Sequence, residues 1–235
     1  MSCTKTIQDS VTWVSTILKQ QPLNVSNWEP GLTFANLVLG RTLGPPMKWR
    51  FNRGNASFVI NTAGGTDYVE AISDLGWIEK QWLVSASGQI FQLEGAQSLA
   101  KTTSSQRPRT MAPVYDDNAG NITFRFDAIP TAAEIVYLDY QRKAPVATSY
   151  GNTWAPLPDE YGYIYNQLFL ALAGNLVSDP RAPMWSQMGV SALLGAQQGL
   201  TMQEIAIFVG EWDRLMQTLA KSQEMVKAGM SGLTK

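Results

Sequence analysis

Apolar positions along the chain change their period twice. Ile7, Val11, Val14 and Leu18 recur every three or four residues, which puts them on one helical face. Gln20-Gln21-Pro22 stops that helix, because the residue before a proline is pushed out of the helical region. A second helix is expected from Asn27, a good N-cap, with Pro30 in its first turn and Trp28, Leu32, Ala35 and Leu39 as its stripe. It ends by Gly44-Pro45-Pro46. From Met47 to Thr148 the texture becomes strand-like. Short β-prone runs at Ser57–Ile60, Tyr68-Val69, Gly76–Glu79 and Gln81–Ser85 are separated by Gly-rich or polar breaks. The clearest are Ile122–Phe126, with Ile122, Phe124 and Phe126 alternating, and Glu134–Tyr140, where Val136, Leu138 and Tyr140 share a face. Asp127–Thr131 between them suits a connecting loop.

The helical period returns after Trp154. Asp159 is expected to cap a helix running to about Val177. That helix carries two stripes, Ile164, Leu168, Leu172 and Leu176 on one and Tyr161, Tyr165, Phe169 and Leu172 on the other. A helix apolar on most sides must be covered on most sides, by its own bundle or by another chain. Ser178–Pro183 breaks it. A short helix from Trp185 to Ala196 follows, and Thr201-Met-Gln-Glu204 is a capping box. It opens a last helix with Ile205, Phe208, Trp212, Leu215 and Leu219 on one face, the strongest periodic signal in the chain. Beyond Lys227 nothing in the sequence gives the chain a reason to fold alone. The fold class expected is α+β: the terminal helices, 1–46 and 154–235, packed as one bundle, with a β-sandwich or barrel-like unit, 47–153, inserted between them.

Composition narrows the function. The 235 residues are 45% apolar and 16% charged, enough for a packed core. Eighteen Lys+Arg against nineteen Asp+Glu leave a net charge of −1, without the positive excess that general nucleic-acid or membrane-surface binding uses. There is no His, which removes His general bases, Ser-His-Asp and Cys-His constellations and nearly every catalytic zinc site. The single Cys3 excludes an intrachain disulfide. The polar start MSCTKTIQDS lacks a signal-peptide core, and the longest apolar run, Leu168–Gly174, is about one third of a bilayer span. A soluble product of a cytoplasm is expected. Eight Trp, eight Tyr and eight Phe are many for such a chain and serve cores or protein interfaces.

Candidate chemistry is sparse. Ser98-Leu-Ala-Lys101 matches S-x-x-K but lacks the companion S-D-N and K-T-G elements. Asp116–Asn121 with Asp127 lacks the Gly and bidentate Glu of a calcium loop and reads as a turn between strands. Ala63-Gly-Gly65 lacks phosphate-loop spacing, and Asp159-Glu160 suits the positive end of a helix. Lys48-Trp-Arg-Phe-Asn-Arg53 interleaves cations and aromatics, the pattern a strand uses to hold single-stranded nucleic acid. Lys48, Arg50 and Arg53 are therefore possible contacts for DNA or a partner protein, set against a plain junction between the two textures; Arg107-Pro-Arg109 reads the same way. No catalytic, cofactor-binding or metal-ligating residue is assigned.

Several blocks in fixed order resemble a family of tailed-bacteriophage virion proteins. They are Asp74–Lys80, Arg107-Pro108, Asp117–Phe126, Tyr140–Pro145 and Trp154–Tyr161, and the helix–β–helix order extends the likeness over most of the chain. The family is the head-to-tail connector or neck adaptor proteins, including the tail tubular gatekeeper-ring proteins of short-tailed phages. The resemblance implies a non-enzymatic homo-oligomeric ring, with twelve copies expected, between the portal protein and a downstream tail protein. DNA would pass through its channel without sequence-specific binding. It implies a virion neck or tail location after assembly in the host cytoplasm, with no membrane. On this reading Tyr161, Tyr165, Phe169 and Leu172 form the subunit interface, and the C-terminal segment with Met230 and Leu233 docks on the portal. The β insertion, near 100 residues, is large for the mainly helical adaptors. The alternative is a tail component whose β unit binds a host receptor or glycan, favoured if Trp77 and Trp82 are exposed. A hydrolase is the third class.

Overall fold

A computed structural model describes residues 3–19, 30–117 and 119–231, with side chains described through residue 221. Helices and strands both contribute heavily, so the protein is α+β. It divides into two compact units, Met1–Phe51 with Ala144–Lys235, and Asn52–Lys143.

The first unit is helical and larger than the expected bundle. Residues 47–51 and 144–153, assigned to the β unit by their texture, belong to it instead. Met47, Trp49, Ala147 and Tyr150 are buried in its core. The Trp49 indole donates to the Thr42 carbonyl. Asn36 grips Ala147 from both sides, its Oδ1 accepting from the backbone N–H at 2.7 Å and its Nδ2 donating to the carbonyl at 3.1 Å. These long-range contacts override the local alternation.

Helix α1 (Ile7–Leu18) opens on a capping box in which Thr6 Oγ1 accepts from Asp9 N and the Asp9 carboxylate accepts from Thr6 N. Its expected stripe of Ile7, Val11, Val14 and Leu18 is buried. Helix α2 spans Gly31–Leu43; its expected start at Asn27 and stripe residue Trp28 lie outside the described residues. Helix α3 (Gly162–Leu176) is buried from Ile164 to Gly174 except at half-buried Asn166. Helices α1, α2, α4 (Ala182–Gly195) and α5 (Met202–Ser231) all pack against it. Between α3 and α4 the approach is close: a Cβ added at Gly189 would lie 2.8 Å from Leu168 Cδ2.

The expected cap of α3 at Asp159 is not made. Asp159 lies in a 3-10 turn (Asp159–Tyr161) and α3 begins at Gly162 without a side-chain cap. The carboxylate instead accepts from the backbone N–H groups of Thr4 and Lys5 and from the Thr4 hydroxyl, pinning the chain ahead of α1. The capping box at Thr201 and Glu204 forms as expected, with Thr201 Oγ1 accepting from Glu204 N at 3.2 Å and Glu204 Oε2 from Thr201 N at 2.8 Å.

The second unit holds two four-stranded sheets. One runs β1 (Arg53–Ile60), β8 (Glu134–Arg142), β3 (Leu75–Ser85), β4 (Ile90–Gln92); the other runs β2 (Asp67–Ala71), β7 (Asn121–Phe126), β6 (Thr110–Asp116), β5 (Glu94–Gly95). All neighbours are antiparallel except β5 and β6. The alternating residues of β7 and β8 point into one core, as their pattern requires. The two strands fall in different sheets, however, and the segment after Phe126 crosses between them. Phe58 of β1 stacks on Phe124 of β7 at 5.3 Å, and Tyr68 of β2 meets Phe126 edge-on. The runs Gly76–Glu79 and Gln81–Ser85 are one strand, β3, bulged against β8 between Leu75 and Trp77 and again between Ile78 and Lys80.

Candidate functional site

Three of the four residues expected to meet a neighbouring subunit are turned inward, and the fourth, Tyr161, is half-buried. Tyr165, Phe169 and Leu172 are fully buried within the protomer. Tyr165 stacks on Trp154 at 4.7 Å, and Phe169 meets the same indole edge-on at 5.7 Å. Burial, reinforced by Cys3, Asp159 and Asp9, pushes the Tyr165 phenol well above its ordinary range. Tyr161 is half-buried in an aromatic group with Trp49 and Phe51, 4.8 and 5.7 Å away. The second stripe of α3 is therefore core. Its cover comes from α1, α2, α4 and α5 of the same unit, so Tyr165, Phe169 and Leu172 offer no free face to a sister copy. Exposed apolar side chains of this unit lie elsewhere, at Val146, Tyr163, Met184, Met188, Met202 and Ile207.

Lys48, Arg50 and Arg53 do not form a binding strand. Lys48 donates its backbone N–H to Gln197 Oε1 and sets Nζ 3.8 Å from Glu204. Arg50 is exposed and opens a 3-10 turn (Arg50–Asn52). Arg53 belongs to the other unit, on β1, where it makes a two-point contact with Glu79 at 2.7 and 3.2 Å. The aromatics between them, Trp49 and Phe51, are spent on the Tyr161 group. For the docking segment, the backbone of Met230 continues α5, its side chain lies outside the described side chains, and Leu233 lies outside the described residues.

The remaining motifs take structural roles. Lys101 of the S-x-x-K match lies 3.1 Å from Asp67. Asp117 Oδ1 accepts from Ala119 N and Asn121 N, holding the β6–β7 turn. No group of three or more His, Cys, Asp or Glu among the described residues could hold a metal ion. Among the described residues no helix is long and apolar enough to cross a membrane.

One cavity lies in the β unit. It is a groove of about 1020 Å³ along β3, with Leu75, Leu93 and Met111 buried at its lining. It exists because β4 pairs only with Trp82, Leu83 and Val84. No strand among the described residues pairs with the outer edge of β3 from Leu75 to Lys80. Two side-chain donors on this wall are buried without an acceptor, Trp77 Nε1 and Gln81 Nε2. The Gln81 side chain is only 8% exposed. Gly95 lies beside it: a Cβ there would come 3.6 Å from Gln81 Nε2, an ordinary contact distance. Trp77 and Trp82 are half-buried rather than exposed, and Trp82 stacks on Tyr137 at 5.6 Å and 9°. Glu79 on the same wall is neutralised by Arg53 and also accepts from Gln141 Nε2. Lys80 and Glu94 remain exposed, one of each sign. The two tryptophans were visible in the sequence as candidate contacts. Gln81 and Gly95 carried no signal there, because a bulge and an unpaired donor leave no mark on periodicity.

No family model matches this chain, and no curated protein matches it.

Proposed function

We propose that the protein is a structural component of a tailed-phage virion, a ring-forming adaptor between portal and tail that lines the DNA channel and performs no catalysis. The observation that carries the reading is the set of exposed apolar side chains on the helical unit. Met184 and Met188 lie one turn apart on α4, 51% and 40% exposed, and Met202 and Ile207 stand out from α5 at 82% and 54%. Methionine is adaptable and recurs at protein interfaces, and solvated methionines such as Met184 and Met188 are better covered by a sister copy than by water. The interface on this reading is built from α4 and α5, not from α3. Two further features support it. The order helix–β–helix matches the resemblance noted above, and α5, at 30 residues, is about 45 Å long, enough to reach well beyond its own packing. The protein's partners would be its own copies, the portal, a downstream tail protein and passing DNA.

Light scattering and electron microscopy of the full chain, alone and with the portal protein of the same virion, test this. Closed rings are expected in at least one condition. A protein that stays monomeric in both overturns the adaptor reading.

A further inference from the structure

We propose that the outer edge of β1 is a docking site for an extended, uncharged segment of another polypeptide, which adds to the sheet beside β1 as a further strand. This goes beyond the adaptor reading and does not depend on whether the chain forms rings.

β1 ends its sheet. Its eight residues, Arg53–Ile60, pair with β8 in one unbroken register from Arg53↔Gln141 to Ile60↔Glu134. Among the described residues no strand pairs with its other side, and no backbone hydrogen bond from outside the sheet reaches it. Along that side every second residue therefore presents its N–H and C=O outward, at a repeat of about 7 Å. Sheets ordinarily blunt such an edge with brevity, proline, a bulge or charge. The other edge strands of this unit are blunted: β4 has three residues, β5 two, and the five residues of β2 include Asp67 and Glu70. β1 has none of these devices. It holds no proline, and its one charge, Arg53, stands at its end and is engaged by Glu79.

The edge specifies its occupant. Donors and acceptors alternating at that repeat are matched by another extended backbone, and not by a helix, whose own backbone groups are spent internally. The neighbouring side chains set the composition. Val59 pairs with Ile135 of β8, Ile135 with Val84 of β3, and Val84 with Ile90 of β4. Val59, Ile135 and Ile90 are exposed, so an apolar row crosses the whole sheet on its solvent face and stops at the free edge. An incoming apolar side chain beside Val59 continues that row. Asn55 and Ser57, exposed on the same face, suit small polar neighbours, and with Arg53 already paired no charge on β1 draws an acidic or a basic segment.

A second copy of β1 fits less well. When two full strands pair antiparallel about a two-fold axis, Val59 of one copy meets Arg53 or Asn55 of the other, so each apolar row ends against a polar residue. Only a register slipped to the last residues, Phe58 to Ile60, brings Val59 against Val59.

The test screens the full chain against a random-peptide library and measures retained peptides by calorimetry, each also made in two forms, N-methylated at its odd or at its even positions. Retention of uncharged peptides with an apolar residue flanked by small polar ones is expected. One N-methylated form should lose binding and the other keep it, because only alternate amides of an added strand face β1. Binding should slow hydrogen exchange at alternate amides of Arg53–Ile60. Val59→Lys, at an exposed position, should weaken the affinity about fivefold, the worth of one cross-strand apolar pair, with an unchanged circular dichroism spectrum. The proposal is overturned if no peptide is retained, if the two N-methylated forms do not differ, if the amides of β1 exchange in the complex as they do in the free protein, or if Val59→Lys binds as tightly as the parent. Exchange at β1 that slows in the protein alone as its concentration rises would assign the edge to a second copy and also overturn it.

Discussion

Leu172→Ala separates the two ways in which α3 could be covered. Leu172 is fully buried with α3 enclosed by four helices of its own unit, so truncation leaves a cavity that a tightly held neighbourhood cannot refill. Leu→Ala substitutions at such sites cost about 2–5 kcal/mol. The enclosure on all sides puts Leu172 in the middle of that range, about 3 kcal/mol, or roughly a 150-fold drop in the ratio of folded to unfolded protein at 1.4 kcal/mol per tenfold. With a urea dependence of about 2 kcal/mol per molar, the unfolding midpoint should fall by about 1.5 M. Far-ultraviolet circular dichroism follows it, since the helices belong to the unit being perturbed. Met188→Ser is the counterpart: a half-exposed surface change should move stability by no more than about 0.5 kcal/mol while dissolving any ring. The reasoning is refuted if Leu172→Ala keeps the parental midpoint and instead lowers the particle mass, because Leu172 would then lie between copies rather than within one.

Two further outcomes follow from packing and charge. Arg125, hydrogen-bonded to Asp67, and then Lys101 hold that carboxyl down at about 2, against an ordinary value of 3.8; its stabilisation is fully present above pH 4 and is lost as pH falls through 2. The gap in melting temperature between the parent and Asp67→Asn should therefore be widest above pH 4 and close by about pH 2, and a gap that grows on acidification would contradict the ion pair. Gly189→Ala sets a methyl 2.8 Å from Leu168 Cδ2, and overpacking of this kind costs about 1–3 kcal/mol, measured as a lowered urea midpoint; a neutral or stabilising result would show that α3 and α4 are not in such close contact.

Periodicity reports which face of an element is apolar and is silent on what covers it, and that division accounts for where the sequence could be read. The stripe of α1 and the alternation of β7 are each buried on one side, so pattern and packing agree at Val11, Val14, Ile122 and Phe124. The capping box at Thr201 and Glu204 was equally legible because it is local chemistry, complete within four residues. On α3 two stripes left the cover undecided, and only the tertiary contacts of Tyr165 and Phe169 with Trp154 assign it to the same chain. The stretch Lys48–Arg53 alternates like a strand, yet bonds distant in sequence, from Trp49 to Thr42 and from Lys48 to Gln197, fold its first half into the helical core. The groove was the least legible feature. Its existence depends on β4 stopping after three residues and on two bulges in β3. The features that make a surface cavity are absences, of a pairing strand and of a side chain. A pattern of apolar residues records what a chain buries and not what it leaves open, so the groove along β3 is the part of this protein that its hydrophobic pattern describes least.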